Sequence, residues 1–136
     1  MSTQKEFIHP LRVYYEDTDV AGIVYHGSYV RFFERGRTEW LRELGFDQQL
    51  LIEQGLAFAV TEMQLKYRKA ARFNALLEVV TTVKSTGHAS MVFEQRIRDA
   101  EDKGVNYCLA EVKVCCVTMA DMKPKALPES LINTAR

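Results

Sequence analysis

The sequence predicts an α+β fold, one long helix wrapped by a curved antiparallel sheet. Three observations lead there. Residues 26–44 carry an apolar stripe at three- and four-residue spacing: Tyr29, Phe32, Phe33, Gly36, Trp40 and Leu44. Four later segments are rich in Val, Thr, Phe, Tyr and Met, and several alternate by two, as in Val79/Thr81/Val83 against Val80/Thr82/Lys84. Finally, Gly36 interrupts the stripe at a cost of roughly 1 kcal/mol in helix propensity. Close approach of a crossing sheet accounts for it.

Taken in order, residues 7–16 read as a strand that runs into the turn-forming cluster Glu16-Asp17-Thr18-Asp19. The long helix follows over 26–44, with Gly45 as its stop. A short helix is expected over 47–54, closed by Gly55. Strands are expected over 57–67, 76–85, 90–99 and 105–119, separated by turn signals at 71–74, 86–88 and 101–104. The tail from Asp121 carries Pro124 and Pro128 and reads as extended, with a last helical turn from Pro128.

A chain of 136 residues fits one domain with one core, so 1–136 is expected to be a single unit. Lys plus Arg equals Asp plus Glu at 18 each, so no global field favours nucleic acid or an acidic membrane. Residues 1–6 lack the apolar core of a signal peptide, and no apolar run approaches the roughly 20 residues of a membrane span. The expected compartment is therefore the cytoplasm. Cys108, Cys115 and Cys116 suit neither a disulfide framework nor a zinc knuckle and read as apolar filler. The three histidines, His9, His26 and His88, are too dispersed for a metal site, and no metal or other cofactor is expected.

The most informative stretch is 12–29. It puts a carboxylate, Asp19, in a loop after an apolar strand, shortly before the long helix opens at about His26. A helix start offers free backbone N–H groups and partial positive charge. An acid facing such a site is the minimum equipment for attacking a carbonyl and holding the resulting oxyanion. On spacing alone, a turn residue or helix cap is the competing account of Asp19.

These residues resemble the signature of the 4-hydroxybenzoyl-CoA thioesterase family of hotdog-fold enzymes: Arg12-Val13, Thr18-Asp19, Gly22-Ile23-Val24 and the aromatic Tyr29. Within it, the chain is most similar to the acyl-CoA thioesterases associated with the bacterial Tol–Pal system. That similarity runs through Val13 to Asp19, Val24-Tyr25-His26, Phe33-Glu34-Arg35, Phe93-Glu94-Gln95-Arg96 and Met122 to Pro128. The resemblance implies a hotdog fold, homodimers or homotetramers with interfacial active sites, and hydrolysis of acyl-CoA, with short aliphatic acyl groups expected.

The same resemblance implies roles residue by residue. Asp19 matches the catalytic carboxylate, as nucleophile on the thioester carbon or as general base on water. The backbone N–H near His26 supplies the oxyanion site, and the His26 side chain is a candidate partner of substrate or of Asp19. Tyr15 matches the closer branch as a residue lining the site, with a structural role equally open. Tyr29 and Phe33, with Phe58 and Val60 from residues 56–60, are candidate walls of the acyl pocket. Arg68 and Lys69, with Lys66 and Arg72, form a basic cluster suited to the phosphates of coenzyme A. The chain departs from the closer branch at Ala70, where proline is usual, and at Asn74-Ala75, where acidic residues are usual. It also lacks the arginines that the 4-hydroxybenzoyl-CoA enzymes carry near 86–88, so recognition of an aromatic acyl group is not implied. The competing reading is a non-catalytic hotdog module that binds acyl carrier protein or a cell-envelope partner. A hotdog dehydratase working through His26 is a third.

Overall fold

A computed structural model describes residues 5–46 and 48–135. Five strands, β1 (Phe7–Arg12), β2 (Leu56–Tyr67), β3 (Leu76–Thr86), β4 (Ser90–Asp99) and β5 (Asn106–Thr118), form one sheet in the order β1-β3-β4-β5-β2. Every neighbouring pair is antiparallel. The long helix α1 (Ser28–Glu43) lies across one face, chiefly over β3, and two short helices follow, α2 (Gln48–Glu53) and α3 (Glu129–Ala135). This is the expected α+β arrangement of one helix against an antiparallel sheet. The expected start of the short helix, Asp47, lies outside the described residues.

The stripe dictates how α1 sits. Tyr29, Phe32, Phe33, Gly36 and Trp40 are all buried, against Leu77, Val79, Met91, Phe93 and Val112 of the sheet. Trp40 meets Phe93 edge-on, with ring centroids 5.1 Å apart. Such burial stabilises by roughly 1.5–3 kcal/mol per large apolar side chain. At Gly36 an added Cβ would fall 2.6 Å from Val79 Cγ1 and 3.1 Å from both Thr81 Oγ1 and Gln95 Nε2. Glycine is what lets helix and sheet approach this closely.

A buried polar clamp sits at the same crossing. Gln95 donates from Nε2 to the Phe33 carbonyl (3.0 Å) and to Thr81 Oγ1 (2.9 Å), and its Oε1 accepts from Arg37 Nη1 (3.0 Å). The side-chain amide is thereby saturated where an unmet polar group would cost about 1–3 kcal/mol. The helix ends as predicted: Gly45 adopts φ +89°, its N–H bonds Arg42 O (3.0 Å), and the Phe46 N–H bonds Leu41 O (3.0 Å), a Schellman closure.

The first strand is shorter than the sequence suggests. Pairing with β3 stops at Arg12, and a 3-10 turn over Tyr15–Asp17 replaces the expected extension to Glu16. The tail is better anchored than its prolines suggest: Leu131 is fully buried and the Leu127 N–H bonds His88 O (2.9 Å). Cys108 and Cys116 are buried and Cys115 is half-buried, all unpaired. Burial pushes the Cys108 thiol up to about 12, so it packs as an apolar group. No described helix is long and apolar enough to cross a membrane.

Gly36→Ala tests the close approach. Alanine gains about 1 kcal/mol of helix propensity, but overpacking a core of this density costs about 1–3 kcal/mol. Denaturant unfolding is expected to show a net loss of up to about 2 kcal/mol, whereas a gain would mean that the sheet yields freely.

Candidate active site

The turn that ends β1 is built around one buried carboxylate. Asp17 is 2 % exposed. Its Oδ2 accepts the Tyr14 N–H (2.9 Å) and its Oδ1 accepts from Arg31 Nη2 (3.3 Å). Its carbonyl accepts the Tyr25 N–H (2.9 Å) and the Ser28 hydroxyl (3.0 Å), while Arg31 also donates to Ser28 Oγ (3.1 Å). These local bonds to Tyr14 compete with the sheet ladder and end β1 early. Two residues from the first turn of α1 are thus tied to the end of the first strand.

Asp19 stands at the tip of a small ladder that grows from this anchor. Its N–H bonds Ile23 O (2.9 Å), Thr18 pairs with Val24, and the Tyr25 N–H meets Asp17 O. Gly22, at φ +78°, makes the reversal possible, and its N–H bonds Asp19 O (3.0 Å). Asp19 Oδ1 accepts the Ala21 N–H (2.9 Å), so the turn-capping role is real. Oδ2 has no partner among the described residues. The side chain is exposed.

Across the ladder the chain turns into α1. The Ser28 N–H bonds Tyr25 O (2.8 Å) and the Val30 N–H bonds Gly27 O (3.3 Å). The N–H groups of His26 and Gly27 meet no acceptor among the described residues. They sit at the positive end of a 16-residue helix. The rows holding Asp19 and Tyr25 are two apart, about 7 Å at the rise of a strand. The His26 imidazole is exposed, packs on the Tyr25 ring (centroids 4.4 Å), and makes no hydrogen bond to Asp19 among the described residues.

The other predicted site residues divide into those the fold gathers here and those it does not. Tyr15 is 81 % exposed beside the loop, with its ring edge-on to Phe73 (6.2 Å). The basic segment also comes close: Ile23 pairs with Arg72, and the Val24 N–H bonds Ala71 O (2.8 Å). Arg68 and Lys69 are both exposed at the end of β2, their N–H groups bonded to Tyr107 O. Lys69 has a neighbour of its own. The Asp99 carboxyl is held below its usual range, first by the Asp102 N–H, and Lys69 is among the charges that add to this.

Tyr29 and Phe33 are buried in the core of the single copy. The stripe that carries them faces the sheet, and the Tyr29 hydroxyl accepts the Ala71 N–H (3.2 Å) beneath the loop. Phe58 and Val60 line a cavity of about 200 Å³ farther along α1, with Trp40, Leu41 and Phe93 as walls and Glu34, Arg37 and Thr38 at its polar side. Neither this cavity nor the two lined by residues of β2, β4 and β5 is bordered by Asp19 or His26. No group of three or more His, Cys, Asp or Glu suited to a metal occurs among them either.

The anchoring residues Asp17, Ser28 and Arg31 were not singled out as a unit by sequence. The spacing of Ser28 and Arg31, one helical turn apart, is the signal that was available.

Comparison with known proteins decides the family. Residues 13–134 match the family described as the Thioesterase-like superfamily. The chain belongs to that superfamily. The acyl-CoA thioester hydrolase YbgC of Escherichia coli O6:H1 is 49% identical over 126 residues, covering 93% of this chain and 92% of that protein. The acyl-CoA thioesterase YbgC of Haemophilus influenzae is 47% identical over 126 residues, covering 92% and 90%. Among solved structures, a probable thioesterase from Bartonella henselae superposes with a TM-score of 0.84 at 34% identity, covering 91% of this chain and all of that one. The sheet and helix described above are therefore the hotdog-like fold of this superfamily.

Removing the Asp17 carboxylate would leave the Tyr14 N–H and Arg31 without their partner. Asp17→Ala is expected to destabilise by about 2 kcal/mol in denaturant unfolding, and Ser28→Ala by about 1 kcal/mol. Loss of less than about 0.5 kcal/mol in Asp17→Ala would show that the carboxylate does not organise the turn.

Proposed function

We propose that this chain hydrolyses acyl-CoA thioesters to free acid and coenzyme A. The observation that carries the reading is the ladder between residues 17 and 25. It holds a carboxylate with one oxygen uncommitted, and it leads directly into two backbone N–H groups with no acceptor among the described residues. Binding alone needs neither. The acyl-CoA thioesterase activity named for the Escherichia coli and Haemophilus influenzae relatives supports the same reading.

In this reading the thioester carbonyl docks on the amides of His26 and Gly27. As Asp19 attacks the carbonyl carbon, or draws a proton from a water that does, negative charge gathers on the carbonyl oxygen. The amides then hold that charge, one such donor being worth roughly 3 kcal/mol in the transition state. Collapse expels the coenzyme A thiolate; where Asp19 itself has attacked, the acyl group is left on it as a mixed anhydride, which water then cleaves to the free acid and the restored carboxylate. The exposed His26 imidazole, borne on the same residue as one of these amides, is the side chain this reading assigns to protonate the departing sulfur. Tyr15 borders the loop, and Arg68, Arg72 and Lys69 offer positive charge to the phosphates at the mouth.

A second copy of the chain completes the site in this proposal. Asp19 borders none of the three cavities described above, whereas the cavity at Phe58 and Val60 opens beside β2. That strand is paired on one side only, by β5, along 12 residues, and Val60 on it is 49 % exposed. A bare edge of this length invites pairing. A homodimer across β2 would bring one copy's Phe58 and Val60 towards the other's loop, giving an acyl pocket of modest size suited to short aliphatic groups.

Purified protein incubated with a panel of acyl-CoA thioesters and a thiol-detecting reagent tests the assignment. Turnover is expected, with Asp19→Asn lowering kcat by about 10²–10⁴-fold. Retained turnover in Asp19→Asn contradicts the catalytic role. No release of thiol from any thioester favours the carrier-protein-binding alternative. Under single turnover in ¹⁸O-water, label appearing in the Asp19 carboxylate identifies attack by the side chain.

A further inference from the structure

Resting on the reading above, we propose that Tyr67 is a positioning residue for the oxyanion site, acting through the His26 carbonyl. Tyr67 ends β2, and its hydroxyl donates to His26 O at 3.2 Å. The ring is held on both sides, tilted against Tyr29 (centroids 5.7 Å) and edge-on to the His26 imidazole (6.3 Å). Tyr29 is itself buried and fixed by the Ala71 N–H. The hydroxyl is therefore delivered by a rigid chain of contacts from the sheet.

The consequence lies in which peptides carry the uncommitted N–H groups. The His26 N–H belongs to the peptide whose carbonyl is Tyr25 O, and that oxygen accepts the Ser28 N–H (2.8 Å). The Gly27 N–H belongs to the peptide whose carbonyl is His26 O, and that oxygen accepts the Tyr67 hydroxyl. Both peptides are thus held at their oxygen end, one by the helix and one by Tyr67. A bond into the carbonyl fixes the peptide plane and polarises its own N–H, strengthening it as a donor by about 10–30%. Partial burial raises the Tyr67 phenol above its usual range, which keeps it a donor throughout the neutral range.

The inference differs from a role in substrate contact. Tyr67 touches the backbone of the site, and its influence reaches the reaction only through the Gly27 amide. It predicts a loss in kcat without a matching change in KM, because the polarised N–H matters most when charge develops on the oxygen.

Tyr67→Phe keeps the ring and removes the hydroxyl at an exposed position, so the fold is retained. Wild type, Asp19→Asn and Tyr67→Phe are compared on butyryl-CoA across pH, with ¹H–¹⁵N spectra recorded on wild type and Tyr67→Phe. Expected for Tyr67→Phe are a fall in kcat of about two- to fivefold, as for a 10–30% weakening of a donor worth roughly 3 kcal/mol in the transition state, KM within about twofold, and a pH profile of unchanged shape. The Gly27 amide resonance is expected to move upfield in nitrogen. Unchanged kcat in Tyr67→Phe, with wild type active and Asp19→Asn inactive, overturns this inference alone. So does a change confined to KM, or loss of an alkaline limb from the pH profile, which would make the phenol an acid in the reaction. A wild-type protein that turns over no acyl-CoA thioester removes the functional reading and this inference with it.

Discussion

The buried carboxylate of Asp17 is the constraint from which the candidate site follows. A charge out of water must be met by hydrogen bonds on both oxygens. Here the Tyr14 N–H and Arg31 meet them, while the carbonyl of the same residue takes Tyr25 and Ser28. Four segments are joined: the end of β1, the ladder, the turn into α1 and the first turn of the helix. Asp19, two residues on, inherits its place from that joint, and so do the amides of His26 and Gly27. A site carried on loops becomes specific when the loops are tied to rigid elements.

The second support is the crossing of α1 and the sheet. Gly36 brings the helix close to β3, and Gln95 fixes the contact by holding the Phe33 carbonyl, Thr81 and Arg37 at once. The axis of α1, and hence the direction of its positive end, is set by that packing. The far end of β2 then returns to the helix start, where Tyr67 reaches the His26 carbonyl. Core packing and site geometry are coupled here through backbone, not through a chain of charged side chains.

Much of this architecture is legible in the sequence. Tyr29, Phe32, Phe33, Gly36 and Trp40 announce the helix because burial enforces a period of 3.6. Gly45 and Gly55 mark stops because each needs a positive φ. The early end of β1 is not legible, since the Asp17 bonds that cause it include Arg31, fourteen residues away. A stripe also cannot say whether its aromatics line a cavity or fill a core. Tyr29 and Phe33 turn out to fill the core, while Phe58 and Val60 do border a cavity. A run of basic residues does not reveal that Lys69 has Asp99 as a neighbour. Lastly, a sequence names the loop that bears Asp19 but not the surface that closes over it.

The central claim is that a thioester sits between the Asp19 carboxylate and the amides beside His26. A crystal structure of the protein with a non-hydrolysable acyl-CoA analogue, in which a ketone replaces the thioester, tests it most directly. The claim predicts the ketone oxygen about 2.7–3.1 Å from the His26 or Gly27 nitrogen, and an Asp19 oxygen, or a water bound to it, about 3–3.5 Å from the ketone carbon. An analogue held elsewhere on the molecule, with Asp19 still facing bulk solvent, would contradict it.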